Sequence, residues 1–366
     1  MKVLLLGEFS GLHKYLKEGL LENGAEVTLA ANGDGWKQIN GADLPLFYAW
    51  KGWHKPVRKV YHRLIHPYQI AKQFQGFDVV QAINPHLYHD LIDADLVCRI
   101  ADQNGLFSLC SAGDDATTVE AYKRNFLDYY VYDLEKKPLD VFDEKTASGR
   151  RHIKTDKRII DRADIIVPSC YQYYKAYESC RNAYKGVIPF PINSRSIEYR
   201  ENIVKDKVVF FHGVNRELAK GTPYIREALE MLRDRYPNDV EIVIDGHLPF
   251  DRYLDVMSRA NVVIDQCMGY SYGINTCVSM AQGKVTCAGN RKEMQEKVGV
   301  LPPIVGIRPD PLQILEQLKW ILENRHRITD IGQQSRRFVE EQHDHVKIAG
   351  RYIQAWKSTG KLSNVP

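Results

Sequence analysis

Short apolar runs alternate with amphipathic stretches along most of this chain of 366 residues. The run Lys2 to Leu6 stops at Gly7, a helical pattern follows from about 11 to 23, and a second apolar run spans Glu26 to Ala30. Strand, loop, helix and strand within roughly 30 residues predict one βαβ unit. Further strands are predicted at 77–81, 107–110 and 164–167. This alternation favours a parallel sheet with helices on both faces.

A break near 187–192, with Pro189 and Pro191 close together, predicts a stiff linker before a second series of the same kind. The second series comprises predicted strands at 207–211, 240–244, 261–265 and 284–287, and predicted helices at 224–235, 250–259, 275–282, 311–324 and 330–356. The charge-dense stretch 133–157 is predicted to be a loop with helical pieces. The length of the chain agrees with two domains, because one core rarely grows this large.

Composition excludes several classes of protein. Hydrophobic residues make up 44% and charged residues 26%, as in ordinary globular proteins. A net charge of +4 is too small to imply nucleic acid. Seven scattered cysteines without a Cys-x-x-Cys pair favour reduced thiols and a cytoplasmic location. The first apolar run is too short for a signal peptide and no run approaches the length of a membrane span, so any membrane contact is expected to be peripheral.

The strongest chemical signal is the segment from His212 to Gly221, between a predicted strand and a predicted helix. A loop at that junction has free backbone amides and the positive end of a helix dipole. Gly213 allows close approach of a ligand, and Arg216 and Lys220 add two cations. These features predict a diphosphate site, in which the cations neutralise a leaving group as its charge grows. A solvated cation pair on a surface turn is the alternative.

A second glycine-containing loop, Gly269 to Thr276, also opens a predicted helix. Its amides at 273–275 are expected to hold sugar hydroxyls or phosphate oxygens. The side chains of Ser271, Asn275 and Thr276 offer hydrogen bonds to hydroxyls. Asn275 is equally well explained as a helix N-cap.

These residues resemble those of a GT-B glycosyltransferase of the retaining type that includes bacterial glycogen synthases and capsular or lipopolysaccharide sugar transferases. Arg216, Lys220 and Gly221 match the family's diphosphate-binding residues, and 270–273 with 280–283 match the frame of its Glu-x-Phe-Gly loop and Ala-x-Gly turn. The resemblance implies an α/β fold of two Rossmann-like, doubly wound domains facing a cleft. It implies an acceptor domain at 1–190, a donor domain at 191–345, and a C-terminal helix at 346–366 that packs back on the first domain. Donor sugar and ribose would contact the following loop residues: Ser271, Tyr272, Gly273, Ile274, Asn275 and Thr276.

The chain departs from the family at its paired glutamates. Their positions, eight residues apart, are occupied by Tyr270 and Val278. In the family these carboxylates contact hexose and ribose hydroxyls. Asp265, at the end of a predicted strand, is a possible replacement, although an Asp there is more often a structural cap.

In the first domain, Gly113-Asp114-Asp115 follows a predicted strand. Carboxylates at a strand end point into the ligand crevice of an open α/β sheet, so Asp114 and Asp115 are predicted to orient or deprotonate an acceptor hydroxyl. The alternative is N-capping of a helix that starts near Thr117. His86 is a further candidate at a neighbouring strand end. The first strand–helix loop adds these candidate ligand-facing residues: Gly7, Ser10, Gly11 and His13.

The stretch 49–77 contains no Asp or Glu, and its lysines and arginines alternate with aromatic and aliphatic residues. Such a face suits peripheral contact with an anionic membrane or a phosphate-bearing lipid acceptor. An ordinary amphipathic helix, whose apolar side belongs to the core, is the alternative.

Together these features predict transfer of a sugar from a nucleoside-diphosphate sugar to a glycan or lipid-linked acceptor, in cell-surface polysaccharide synthesis at the inner face of the plasma membrane. The resemblance implies retention of configuration and no metal cofactor. Two alternatives remain open: a GT-B nucleotide-sugar epimerase, which needs no acceptor, and a catalytically degenerate relative that only binds the sugar nucleotide.

Overall fold

A computed structural model describes residues 1–34, 39–46, 57, 66–87, 94–246 and 250–362. Of the predicted membrane-contact stretch 49–77, all but residues 57 and 66–77 lies outside the described residues. The chain divides into two compact units. The first unit comprises Met1–Phe126, Pro138–Pro191 and His345–Pro366, and the second comprises Leu127–Lys137 and Ile192–Asp344.

The first unit contains a five-stranded parallel sheet in the order β2-β1-β3-β4-β5. Its strands are β1 (Lys2–Leu6), β2 (Glu26–Ala30), β3 (Val79–Ala82), β4 (Leu106–Ser111) and β5 (Ile165–Pro168). Its helices include α1 (Leu12–Glu22), α2 (His66–Gln73), α3 (Ala94–Asp102), α4 (Ala116–Lys123), α5 (Lys137–Val141), α6 (Ala147–Arg162) and α7 (Tyr171–Tyr177). From Val3 to Leu6 every side chain of β1 is buried, because a parallel strand covered on both faces has no solvent side.

The second unit repeats this topology in a second parallel sheet, with the order β10-β9-β8-β6-β7. Its strands are β6 (Val208–Gly213), β7 (Val240–Asp245), β8 (Val262–Gln266), β9 (Val285–Ala288) and β10 (Ile304–Gly306). The remaining helices are α8 (Glu217–Lys220), α9 (Thr222–Arg235), α10 (Phe250–Arg259), α11 (Ile274–Ala281), α12 (Lys292–Val298), α13 (Pro311–Glu323), α14 (Ile328–Gln342) and α15 (His345–Lys357). The predicted pair of doubly wound parallel sheets is confirmed.

The C-terminal helix α15 belongs to the first unit and packs against α1. The contact is close because Gly19 has no side chain: a Cβ there would lie 2.0 Å from the carbonyl oxygen of His345. Tyr352 and Trp356 are fully buried in the same cluster as Leu16 and Leu20. Helix α15 is therefore part of the hydrophobic core of the first unit.

One prediction about secondary structure needs correction. The predicted helix 330–356 is two helices, α14 and α15, because the chain breaks where the backbone N–H of Ile192 donates to the carbonyl of His343. The charge-dense stretch 133–157, predicted to be a loop with helical pieces, holds α5 and most of the long α6, which starts where Thr146 caps the N–H of Gly149. Strand β10 was not among the predicted strands.

Residues 127–137, which the sequence analysis assigned to the first domain, group with the second unit. Tyr132 is fully buried, and Val131 and Leu134 pack against the core of the second sheet. We call this segment the strap. Its apolar contacts attach it to the second unit.

Candidate functional site

Each sheet reverses its strand order at one point, and open α/β sheets bind ligands at the carboxyl ends of the strands beside that point. In the first sheet the reversal lies between β1 and β3, and in the second it lies between β6 and β8. The loops after these strands carry most of the predicted site residues: 7–13 and 86 in the first unit, 213–221 and 271–276 in the second. The candidate residues are therefore described unit by unit.

Lys220 forms a buried ion pair at the second reversal. Its Nζ donates to the carbonyl of Gly213 at 2.8 Å and to Oδ1 of Asp265 at 3.0 Å, and Oδ2 of Asp265 accepts from Thr276 Oγ1 at 2.8 Å. Burial alone would raise the pKa of Asp265, but the Lys220 ammonium and the Thr276 hydroxyl lower it overall. An ammonium has three donors, so a ligand can still receive one N–H. Asp265, a possible replacement for a missing glutamate, instead fixes Lys220.

Gly221 shapes the turn that presents Lys220. Its φ of 72° is in the left-handed region, and an added Cβ would lie 2.3 Å from Cys267 Sγ. Only glycine fits this position without a shift of the neighbouring chain. The sharp turn lets α9 begin directly after α8.

Arg216 lies just before α8, with about half of its side chain exposed. Its Nη2 donates to Oε2 of Glu135 in the strap at 2.8 Å. Sequence reasoning missed Glu135, which is 81 residues away along the chain. Both cations predicted to hold a diphosphate are thus paired with a carboxylate in this structure.

His212 sits beneath this loop as a neutral, buried group. Its Nδ1 donates to the carbonyl of Ile264 and its Nε2 accepts from Thr222 Oγ1, each at 2.8 Å. Burial is the main reason that its pKa is lowered to about 4. The ring therefore braces β6 against β8 without adding charge to the site.

The second glycine loop leads into α11, whose N-cap is Gly273 without a side-chain hydrogen bond. Asn275 is therefore not the N-cap, and that alternative is wrong. Asn275 is exposed, whereas Ser271, Ile274 and Thr276 are buried.

Tyr272, which was expected to contact the donor, is also buried. Its hydroxyl lies 3.0 Å from Nε2 of His343. Of the loop side chains, Asn275 is thus the one presented to solvent, whereas the hydroxyl groups of Thr276 and Tyr272 are engaged within the protein.

Tyr270 stands where the family has its first glutamate, and it forms an aromatic and cationic cluster with the strap. Its hydroxyl accepts the backbone N–H of Asp128 at 3.0 Å, and the Arg291 guanidinium lies 4.7 Å from its ring centroid. Tyr129 completes the cluster at a ring-centroid distance of 5.0 Å. The Arg291 guanidinium thus lies over the rings of both Tyr270 and the strap residue Tyr129.

A surface pocket of about 370 Å³ opens beside β6 and β7. Its lining residues are Val214, Asn215, Glu217, Arg226, Ile244, Asp245 and Gly246. It adjoins the predicted diphosphate loop 213–221, because Val214, Asn215 and Glu217 belong to that loop.

In the first unit, the loop after β1 is held from below by buried polar groups. Glu8 accepts the backbone N–H groups of Gly11 and Lys14, and burial raises its pKa to about 7. His13 is fully buried: its Nδ1 donates to the carbonyl of Gly7 at 2.8 Å, and burial lowers its pKa to about 4. His13 is consequently a support of this loop.

The loops after β1, β3 and β4 converge. The N–H₂ group of Asn84 donates to the carbonyl of Ala112 at 2.8 Å, and a Cβ on Gly113 would lie 3.1 Å from the Phe9 ring. Ser10 joins this region in the left-handed conformation, with its N–H bonded to Asp34. The structure thus brings together the loops that carry the predicted candidates of the first unit.

Asp115 is the N-cap of α4 and is fully buried. Its Oδ1 accepts from the backbone N–H of Thr118 at 2.8 Å, and its Oδ2 accepts from the Tyr177 hydroxyl at 2.9 Å. Burial is the largest cause of a pKa raised to about 7. The structure supports the capping alternative, whereas catalytic roles for Asp114 and Asp115 stay predictions. Asp114 is partly exposed.

Among the described residues, no group of three His, Cys, Asp or Glu side chains is placed to hold a metal ion. No described helix combines the length and hydropathy that a membrane span requires.

The sequence matches no protein-family model and no curated protein. Several solved structures resemble the chain over its whole length. HepE from Anabaena, solved in complex with UDP and glucose, has a TM-score of 0.63 and 11% identity, covering 98% of this chain and 100% of that one. Sucrose-phosphate synthase from Thermosynechococcus elongatus has a TM-score of 0.60 and 15% identity, covering 99% and 100%.

A putative UDP-N-acetylglucosamine 2-epimerase from Listeria monocytogenes has a TM-score of 0.54 and 12% identity, covering 100% of this chain and 98% of that one. At such identities the likeness shows the fold alone. The chain has the GT-B fold, as the sequence predicted.

Proposed function

We propose that this protein is a glycosyltransferase that binds a nucleoside-diphosphate sugar on its second unit, at the reversal between β6 and β8. The observation that carries the proposal is the loop 213–221, which holds Lys220 at the sheet edge and presents Arg216 to solvent. The amides at the start of α11 lie at the end of the loop that follows β8. Cations and free amides at one sheet edge suit a diphosphate.

The Glu135–Arg216 pair supports this assignment. A guanidinium that already donates to a carboxylate has the geometry to donate to phosphate oxygens, which match the same fork of N–H groups. Donor binding would then exchange one anion for another. Lys220, whose charge is offset by Asp265, would contribute one N–H, and Arg216 would provide most of the attraction.

The wider proposal is transfer of a hexose or related sugar, with retention, to a glycan or lipid-linked acceptor during polysaccharide synthesis. It includes no metal cofactor, because Arg216 and Lys220 would neutralise the departing diphosphate. HepE was solved with UDP-glucose, which makes UDP-sugars the first donors to test.

An epimerase is the second candidate, favoured by the likeness to the putative epimerase of Listeria. It differs in a measurable way, since it would interconvert sugar nucleotides without an acceptor. A product analysis of UDP-N-acetylglucosamine incubated with the protein alone decides between the two.

A thermal-shift screen against UDP, GDP, ADP, CMP and TDP and their sugar conjugates tests the donor site. We expect one nucleoside diphosphate to stabilise the protein, since ligands that bind the folded state raise its melting temperature. Arg216→Ala should abolish that stabilisation. Arg233→Ala, which removes an exposed arginine from α9, is the matched control and should leave it unchanged. A shift that survives Arg216→Ala would refute the assignment.

A further inference from the structure

Arg291, in the loop after β9, carries a guanidinium that is held in place at the carboxyl edge of the second sheet. It lies over the rings of Tyr270 and Tyr129, with Cζ 4.7 and 5.9 Å from their centroids. Its Nε and Nη2 donate to the Glu293 carboxylate at 3.3 and 2.9 Å, and Nη2 also donates to Oδ2 of Asp128 at 3.3 Å. Its Nη1 makes no hydrogen bond within the part of the chain that the structure describes, and 29% of the side chain is exposed. Two N–H groups of a fixed cation thus remain for a ligand.

Backbone hydrogen bonds connect the Arg291 loop with the predicted diphosphate loop. The N–H of Arg291 donates to the carbonyl of Tyr270 at 3.1 Å. In the same loop after β8, the N–H of Cys267 donates to the carbonyl of Lys220 at 3.0 Å. Strands β6, β8 and β9 are neighbours in this order, so the ends of β6 and β9 are separated by two strand spacings, about 10 Å. Arg291 is therefore a further cation at the edge to which the diphosphate is assigned.

The strap supplies a carboxylate to Arg291 as it does to Arg216. Oε2 of Glu135 accepts from Arg216 at 2.8 Å. Oδ2 of Asp128 likewise accepts from Arg291. The Asp128 side chain is 77% exposed, and solvent screens an exposed ion pair so that it contributes little to stability. A ligand carboxylate can therefore replace Asp128, just as a diphosphate would replace Glu135.

The two sides of the diphosphate loop offer the parts of a donor molecule different surroundings. The pocket of about 370 Å³ lies on the β7 side, where Val214 and Ile244 provide apolar walls. An apolar lining with a few polar groups suits a nucleoside. Arg291 lies on the opposite side, because the strand order is β10-β9-β8-β6-β7. The sugar of a donor then lies toward β8 and β9, where it meets Arg291.

We propose that Arg291 selects donors whose sugar carries a carboxylate, namely nucleoside-diphosphate uronic acids. A guanidinium is always charged and pairs with a carboxylate through parallel N–H···O bonds, whereas a neutral hexose offers it only hydroxyl oxygens. Glu293 fixes the orientation of the guanidinium, and Asp128 holds the place of the sugar carboxylate until a donor binds. The inference rests on the proposed glycosyl transfer, and it names the class of sugar that is transferred.

Calorimetry on the full-length protein tests this with two pairs of donors, UDP-glucose against UDP-glucuronic acid and GDP-mannose against GDP-mannuronic acid. In the pair whose nucleotide the protein accepts, we expect the acidic conjugate to bind about tenfold tighter or more, because hydrogen bonds between charged groups are the stronger ones. Arg291→Gln should bring the two conjugates within about twofold of each other and leave the affinity for the nucleoside diphosphate alone within about twofold. Arg308→Gln, which removes another exposed arginine from the same sheet edge, is the matched control and should keep the preference.

Equal or weaker binding of the acidic conjugate in both pairs overturns the inference, whether or not Arg291→Gln folds. A preference that survives Arg291→Gln, or that Arg308→Gln also removes, overturns the role of Arg291. Asp128→Asn keeps the backbone N–H that donates to Tyr270, and it should tighten the acidic conjugate about two- to fivefold while leaving the neutral one unchanged. If no nucleoside diphosphate binds at all, the proposed function itself fails. Binding of a nucleoside diphosphate without an acidic preference refutes only the assignment of the sugar.

Discussion

Lys220→Met should destabilise the protein strongly, because it leaves Asp265 buried without its partner. The two charged atoms are 3.0 Å apart, and Asp265 is almost fully buried. At an effective dielectric constant of about 20, their attraction is on the order of 5 kcal/mol. Removing one partner of a buried pair typically lowers the free energy of unfolding by about 3–5 kcal/mol. We expect a loss in that range.

The double variant separates pairing from packing. Asp265→Asn keeps an oxygen that can accept from Thr276 but removes the charge, so Lys220→Met/Asp265→Asn contains no isolated buried ion. We expect the double variant to be more stable than Lys220→Met alone, with a coupling energy of about 2 kcal/mol or more.

Urea denaturation of the wild type, both single variants and the double variant measures these differences. Lys205→Met, an exposed change in the same unit, is the control and should shift the free energy of unfolding by less than about 0.5 kcal/mol. A Lys220→Met loss below about 1 kcal/mol, or strictly additive single effects, would refute the buried pair. Donor-binding tests on Lys220 variants must therefore be read beside their stability.

Three further predictions concern other parts of the chain. The pKa of Glu8 is raised to about 7 by burial, so its contribution to stability is full below about pH 4.5 and is lost as the pH rises to 7. In that interval, the free energy of unfolding of Glu8→Gln should rise by about 1.4 kcal/mol per pH unit relative to the wild type. Urea denaturation at several pH values measures this difference, and an identical pH dependence in the two proteins would contradict it. Glu135→Gln should tighten binding of the donor diphosphate to Arg216 about two- to fivefold by calorimetry, and unchanged or weaker affinity would show that Glu135 does not compete. Gly19→Ala should lower the free energy of unfolding by about 2 kcal/mol or more, because the added Cβ clashes with α15. Gly350→Ala is the control, since a Cβ there meets its nearest atom at 3.8 Å, and it should leave the melting temperature unchanged or raise it.

The sequence predicts the strands well because each buried parallel strand is a short continuous apolar run. The exception is β10, which has three residues and follows Pro302 and Pro303, so no periodicity can reveal it. The break between α14 and α15 is also hidden, because it depends on a hydrogen bond from the distant Ile192. Local patterns thus predict elements, but not the interruptions that tertiary contacts impose.

For the candidate site, the sequence predicts which loops lie at the sheet edges but not which charges meet there. The Lys220 loop follows from its place between a strand and a helix, and the capping role of Asp115 was an open alternative that the structure supports. The ion pair of Arg216 with Glu135 joins residues on opposite sides of the linker. No spacing rule connects them, because the strap leaves the first half of the chain to join the second unit.

The place of α15 in the first core has a consequence for synthesis on the ribosome. The face of α1 that packs against Tyr352 and Trp356 is synthesised long before its covering helix, because nearly all of the second unit lies between them in the sequence. The second unit, complete at residue 344, is able to fold before the first is sealed. A chain truncated before 345 would keep the apolar face of α1 exposed, a surface prone to aggregation. Closure of the first core thereby waits for synthesis of the second unit.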